Sequence, residues 1–203
     1  MLIYGNPSQD VVDSIEHNVL LNKWNKMGRL DELKSIPYPD EDTTKKELWH
    51  MVDLAKTVDS NRNIYIKAVD SNLFGVMSML LSRYGINESK DKIKTNLKIY
   101  EPLIDYLKVW YNRPRPNQAA GVYGIPLYPL LESKIAATAS YPSGHTLYAL
   151  WFMHTYKRQY PKLKGELMKF VLDVKLTREE GGVHYPSDGH FSFKVYKHLK
   201  DYI

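Results

Sequence analysis

Apolar residues recur at helical spacing along most of this chain, and alternating strand patterns are nearly absent, which confines it to folds that pack helix on helix. SQDVVDSIEHNVLLNKWNKM places Val11, Val12, Ile15, Val19, Leu20 and Trp24 on one helical stripe and predicts a single long helix. IPYPDED, Ile36–Asp42, reads as a loop whose acidic end opens a helix in TTKKELWHMVDLAKTVD, where acids suit the positive end of the helix dipole. NIYIKAVDSNLFGVMSMLLSRYG is a further helix, expected to stop at Gly85. Asn87–Tyr111 reads as one helix, ended by the prolines of NRPRPN. Ala119–Ser140 is expected to be loop with a short helix. Helices over Ser143–Tyr160 and Lys162–Thr177 follow. Gly181–Gly182 breaks the second, and Pro186 sits in the first turn of a last helix. Phe74, Met77, Met79, Phe152 and Met153 are expected in the core. No linker, repeat or low-complexity tract divides the 203 residues. The expected architecture is therefore all-α, a single-domain helical bundle over 1–203.

Bulk properties narrow the function. No uninterrupted run of about 18 apolar residues is seen, since LFGVMSMLL and LKGELMKFVLDV are short or charged, so no transmembrane segment is expected. MLIYGNPSQDVV lacks the basic start and apolar core of a signal peptide, and the expected location is cytoplasmic. The absence of cysteine excludes disulfides, thiol catalysis and thiolate zinc sites. A net charge of +5 suits an anionic ligand, although most of the scattered lysines read as solvated helix faces.

Three segments carry chemistry, and each begins or ends a helix. KVWYNRPRP supplies Lys108 and, after six residues, Arg115; YPSGH supplies Ser143, Gly144 and His145; TREEGGVHYPSD supplies Arg178, His184 and Asp188. Arginine forks hold two oxygens of a phosphate each, and lysine acts as a point charge. Ser143 and Gly144 open a helix, so their N–H groups and the Ser143 hydroxyl are expected to face an anion, with no Cβ at Gly144 to obstruct it. His184 and Asp188 stand four apart at a helix start and so share a face. The carboxylate there accepts the Nδ1 proton and leaves Nε2 free to attack. His145 is the second imidazole, able to protonate a leaving alkoxide. Neighbouring cations lower the imidazole pKa values while bound phosphate and Asp188 raise them, and the sequence leaves that balance open. Spacing selects Arg115, so Arg113 is left outside the site. His190 is expected in solvent, and Tyr111, Tyr123, Tyr141 and Tyr185 are expected to pack.

The pattern Lys-x6-Arg-Pro, Pro-Ser-Gly-His and Arg-x5-His-x3-Asp, in this order over residues 108–188, resembles the phosphatidic acid phosphatase type 2 superfamily. That superfamily includes class A bacterial acid phosphatases, lipid phosphate phosphatases and vanadium haloperoxidases. One position departs, Thr177 standing where the family's third motif has Ser, and GHFSFKV after Asp188 is less apolar than usual. The resemblance implies the family's helical bundle and a metal-independent phosphomonoesterase of the soluble class A kind, without cofactor, working through a phosphohistidine. His184 would be the nucleophile, Asp188 its orienter and His145 the acid and base. Lys108, Arg115, Ser143, Gly144 and Arg178 would hold the phosphoryl oxygens. The expected partner is a small phosphate ester, with no nucleic-acid polymer, and homo-oligomerisation is left open. Alternatives are a vanadate-dependent haloperoxidase-like protein and a peripheral lipid phosphate phosphatase. A zinc hydrolase and a nucleic-acid binder lack their sequence signatures.

Overall fold

Helix starts in this chain are set by short polar side chains that satisfy otherwise orphaned N–H groups. In the computed structural model, which describes residues 4–16, 18–37, 39–131 and 138–202, Asn18, Asp40, Asp59 and Ser89 each accept from the N–H three residues on, at 2.8, 2.7, 2.7 and 3.2 Å. Among the described residues there are eleven α-helices and no strand: α1 (Gln9–Glu16), α2 (Val19–Lys26), α3 (Arg29–Lys34), α4 (Glu41–Ala55), α5 (Ser60–Ser82), α6 (Lys90–Lys98), α7 (Glu101–Tyr111), α8 (Pro116–Tyr123), α9 (Gly144–Gln159), α10 (Lys164–Glu180) and α11 (Pro186–Leu199). The all-α reading holds.

Several boundaries differ from the sequence expectation. The long N-terminal helix is two helices, because Asn18 caps α2 as a separate element. Asn87–Tyr111 is also two, α6 and α7, with Pro102 in the first turn of the second. Within Ala119–Ser140 the helical part comes early, as the end of α8, and residues 132–137 lie outside the described residues. Gly85 does follow the end of α5, in the left-handed region, and Gly181 caps α10. Met79 is 63% exposed rather than in the core, whereas Met77, Phe152 and Met153 are buried.

The expectation that no segment is fit to span a membrane is corrected. Helix α5 has 23 residues and an 18-residue window of mean hydropathy 1.3, of which 33% is buried, so its length and composition suffice for a crossing. Lys67 and Asp70 interrupt the apolar run in the sequence but do not offset its average. The helix is kinked at Asn72.

Helix α9 is the central element. His145, Leu147, Leu150, Trp151, Phe152 and Met153 are all buried, which covers more than one face, and α6, α7, α10 and α11 pack around it. Its burial puts the first turn, with Ser143–His145, inside the molecule. A second cluster joins Leu48, Met51 and Val52 of α4 to Ala119 and Ala120 of α8 and to Tyr185, so that α4 is fixed against the start of α11. Tyr141 stacks on Phe191 with centroids 4.2 Å apart, and Tyr111 meets both edge-on, which anchors the segment before α9 to α11. Tyr141 and Tyr185 are buried, in line with packing roles.

Candidate active site

The starts of α8, α9 and α11 and the ends of α7 and α10 converge on one cavity of about 450 Å3. Lys108, Arg115, Gly144, His145, Arg178 and His184 line it, 76 positions apart at the extremes of the chain segment that carries them. Gly182 allows the return of the chain from α10. Its φ is +76° and a Cβ there would lie 2.8 Å from the Pro129 Cα. The turn lets Val183 N–H and His184 N–H both donate to the Arg178 carbonyl at 3.1 Å, so the third-motif histidine is hooked to its arginine.

His184 Nδ1 lies 3.0 Å from Asp188 Oδ2, and Tyr185 N–H donates to the same oxygen at 3.0 Å. With Asp188 ionised, Nδ1 carries the ring proton and Nε2 presents its lone pair. Arg115 Nη1 stands 3.1 Å from that Nε2. Burial first, then Arg115, Lys108 and Arg178, hold the His184 pKa well below the ordinary histidine value, so the ring is neutral. Burial and Arg178 do the same to His145, whose Nε2 is 3.4 Å from the Asp70 carbonyl oxygen. Burial pushes Asp188 up to about 6, against the pull of Arg113.

The cations crowd one another. Burial and then Arg115 bring Lys108 down to about 7, and burial brings Arg115 down to about 10. Both are pinned on Thr138: Lys108 Nζ donates to its Oγ1 at 2.7 Å, and Arg115 Nε donates to its carbonyl oxygen at 2.7 Å. Arg178, only 2% exposed, donates from Nη2 to Asp70 Oδ1 at 2.6 Å. Its Nε and Nη1 are buried without a partner among the described residues. Buried guanidinium N–H groups are normally satisfied, and two left over in a residue that lines a cavity fit an oxyanion.

Ser143 departs from the expected arrangement. Its N–H donates to the Asp188 carbonyl oxygen at 3.3 Å, and its Oγ accepts from Thr146 Oγ1 at 2.9 Å. It ties α9 to α11, while Gly144 reaches the cavity wall. His190 is exposed, as expected. Sequence reasoning missed four residues. Asp70 and Thr138 hold the cations, and no motif marks either. Arg113 is fully buried and bonds Asp188 Oδ1 at 2.7 Å, and Glu47 lies behind it at 2.9 Å. The outer wall is apolar on one side, with Leu73, Phe74, Ile104 and Tyr148. Lys90, Lys94, Lys98, Asp91 and Glu101 give it a rim of mixed charge.

No protein-family model matches the sequence, and no curated protein matches it significantly. Among solved structures, the chain is similar to a protein described as the first transmembrane PAP2 type phosphatidylglycerolphosphate phosphatase, from Bacillus subtilis. The TM-score is 0.54 at 16% identity, over 80% of this chain and 87% of that one. A transmembrane neighbour and the length of α5 together overturn the cytoplasmic placement expected from the sequence. The resemblance carried by the motifs of residues 108–188 agrees with this likeness: over 80% of its length the chain shares the all-helical fold of that PAP2 type phosphatase.

Proposed function

We propose that this protein is a phosphoric monoester hydrolase that works through a phosphohistidine without a metal. The observation that carries the reading is one cavity lined by Lys108, Arg115, Arg178 and His184, with Arg115 Nη1 3.1 Å from the unprotonated Nε2 of His184 and two Arg178 donor groups unmatched. A tetrahedral phosphoryl group meets these needs: it accepts from the arginine forks, relieves the repulsion among the cations, and offers phosphorus to the imidazole.

Step one forms the His184 Nε2–phosphorus bond and breaks the bond from phosphorus to the ester oxygen. The leaving oxygen takes a proton from His145. A bound dianion supports that role, since it offsets what Arg178, Lys108 and Arg115 add to burial in keeping His145 neutral. In step two a water gives its proton to His145 and its oxygen to phosphorus, the phosphorus–nitrogen bond breaks, and neutral His184 returns. Asp188 holds the proton on Nδ1 throughout. Gly144, which lines the cavity, would offer its backbone N–H to the phosphoryl oxygens, and Ser143 acts one step back, by fixing the helix start. A zinc-hydrolase reading is disfavoured by the charge of the cavity, because three buried cations repel a metal ion.

The likeness to class A acid phosphatases rests on the motifs. A lipid phosphate ester is the second reading, favoured by the apolar wall of Leu73, Phe74, Ile104 and Tyr148 and by α5. The test is hydrolysis of a chromogenic aryl phosphate by the wild type and by His184→Ala, each with EDTA and with vanadate. The reading expects activity that survives EDTA, falls with vanadate and disappears in the variant. Activity abolished by EDTA overturns it. Vanadate that instead switches on halide oxidation by peroxide identifies the haloperoxidase-like alternative.

A further inference from the structure

The geometry points to Arg113, held in place by Glu47, as a positioning residue that keeps Asp188 a carboxylate and so holds His184 in its Nδ1–H tautomer. The inference rests on the phosphohistidine reading and extends it beyond the motif residues.

Asp188 is fully buried and has two oxygens with different duties. Oδ2 serves His184 and the Tyr185 N–H, and Oδ1 takes Arg113 Nη1 at 2.7 Å. Arg113 comes from the loop between α7 and α8, is itself fully buried, and lies with its guanidinium carbon 3.7 Å from the Tyr185 ring centroid. Its other arm, Nη2, donates to Glu47 Oε2 at 2.9 Å and is 3.3 Å from Thr44 Oγ1. Glu47 also accepts the Ser187 N–H at 2.6 Å and the Ser187 hydroxyl at 2.8 Å, so one carboxylate fastens α4 to the start of α11. Ser187 Oγ in turn accepts from Arg113 Nη1 at 2.6 Å.

The chain His184, Asp188, Arg113, Glu47 is therefore continuous and closed to solvent at its centre. A carboxyl buried without a cation takes up a proton. Protonated Asp188 would donate to His184 Nδ1 and push the ring proton to Nε2, the atom that must attack. Arg113 opposes this and Glu47 moderates it. The remaining groups facing Asp188 are Lys108 from α7, Arg115 at the start of α8, Tyr141 ahead of α9 and His184 itself. Lys108 and Arg115 face the phosphoryl site, so in the bound state Arg113 is the cation left to Asp188.

The experiment uses full-length Arg113→Met, Arg113→Lys and Glu47→Gln, each checked for folding by circular dichroism. It reads the pH profile of kcat on an aryl phosphate and, independently of turnover, the His184 tautomer by 15N NMR. For Arg113→Met, kcat near pH 6 should fall about 100-fold with KM within about threefold, a part of the roughly 10⁴-fold that neutralising the orienting carboxylate costs a hydrolytic triad. The acid limb should move to higher pH, and Nε2–H should appear at His184. Arg113→Lys should keep the limb close to that of the wild type. Glu47→Gln should move it the opposite way, because a negative charge that opposes ionisation of Asp188 is gone. A folded Arg113→Met with an unmoved limb and an intact Nδ1–H tautomer overturns the inference. If that variant does not fold, an unmoved limb in Glu47→Gln does so instead. A wild type that hydrolyses no phosphate ester, yet shows the tautomer change on substitution, retires the phosphatase reading and keeps the positioning role of Arg113.

Discussion

Arg178 and Asp70, 108 positions apart in the chain, are joined by an Nη2–Oδ1 hydrogen bond of 2.6 Å that fixes the guanidinium of a residue lining the cavity. The carboxylate sets the plane of the fork, and Nε and Nη1 are the donors left for a ligand. Helix α5 thus reaches the site through a residue that no motif includes.

This pairing makes Arg178→Lys a severe change despite conserved charge. A single ammonium cannot hold Asp70 and two phosphoryl oxygens in fixed directions. We expect kcat/KM on an aryl phosphate to fall about 100-fold, or roughly 2.7 kcal/mol of transition-state stabilisation, at the level of a lost oxyanion donor. Steady-state kinetics on the purified variant check this, and a loss under about threefold refutes it.

Mutually repelling buried cations should make the protein responsive to oxyanions. Vanadate or phosphate at about 100 times its Kd should stabilise the wild type by about 2.7 kcal/mol, raising Tm by roughly 5–11 °C. Arg178→Ala should lose most of that shift. Thermal unfolding across an oxyanion titration reads both.

Lys108 gives a pH signature. Its folded pKa of about 7 lies below the ordinary lysine value, so between about 7 and about 10 the unfolded chain binds a proton that the folded one does not. Its contribution to stability is present above the unfolded pKa and is lost as pH falls through the folded one. Lys108→Met removes the group, so its advantage over the wild type should be greatest below about pH 7 and should shrink towards about pH 10. Urea unfolding at several pH values, in a buffer without phosphate, measures the gap. A gap that stays constant refutes the depressed pKa.

His145 as proton donor implies dependence on the leaving group. His145→Ala should cost about 10³-fold with phenyl phosphate, within the usual range for general acid catalysis. The loss should be much smaller with a dinitrophenyl ester, whose phenolate departs without a proton. Equal losses for both esters would argue against the role.

The helical class was legible in the sequence because apolar spacing and capping residues are local. Asp59, Ser89 and Ser143 act on N–H groups three residues away, and the proline of NRPRPN and the glycine at 182 stop helices by their own geometry. The motif residues were legible for a related reason: Arg178, His184 and Asp188 lie within about three turns of chain, and a turn and a helix start bring them together whatever surrounds them. One local reading failed because it looked for an unbroken apolar run and not for the average over a whole helix. The sequence carries Lys67 and Asp70 as interruptions of an apolar run, whereas the helix they belong to is apolar on average and long enough to cross a membrane.

The tertiary structure alone decided which residues complete the site. Arg113 sits beside Arg115 in the same motif, and spacing selected its neighbour; only the docking of α4 and α11 shows that Arg113 faces Asp188 and Glu47. Asp70, Thr138 and Glu47 enter from distant segments with no word to mark them. Ser143 proved to bind helix to helix, since its N–H meets the Asp188 carbonyl. Sequence by itself determined the helical class and the chemical types gathered at residues 108–188, because both follow from near neighbours along the chain. Direction, burial and partnership of those groups were decided by packing, because a charge acquires its pKa and its role from atoms that only the folded chain brings near.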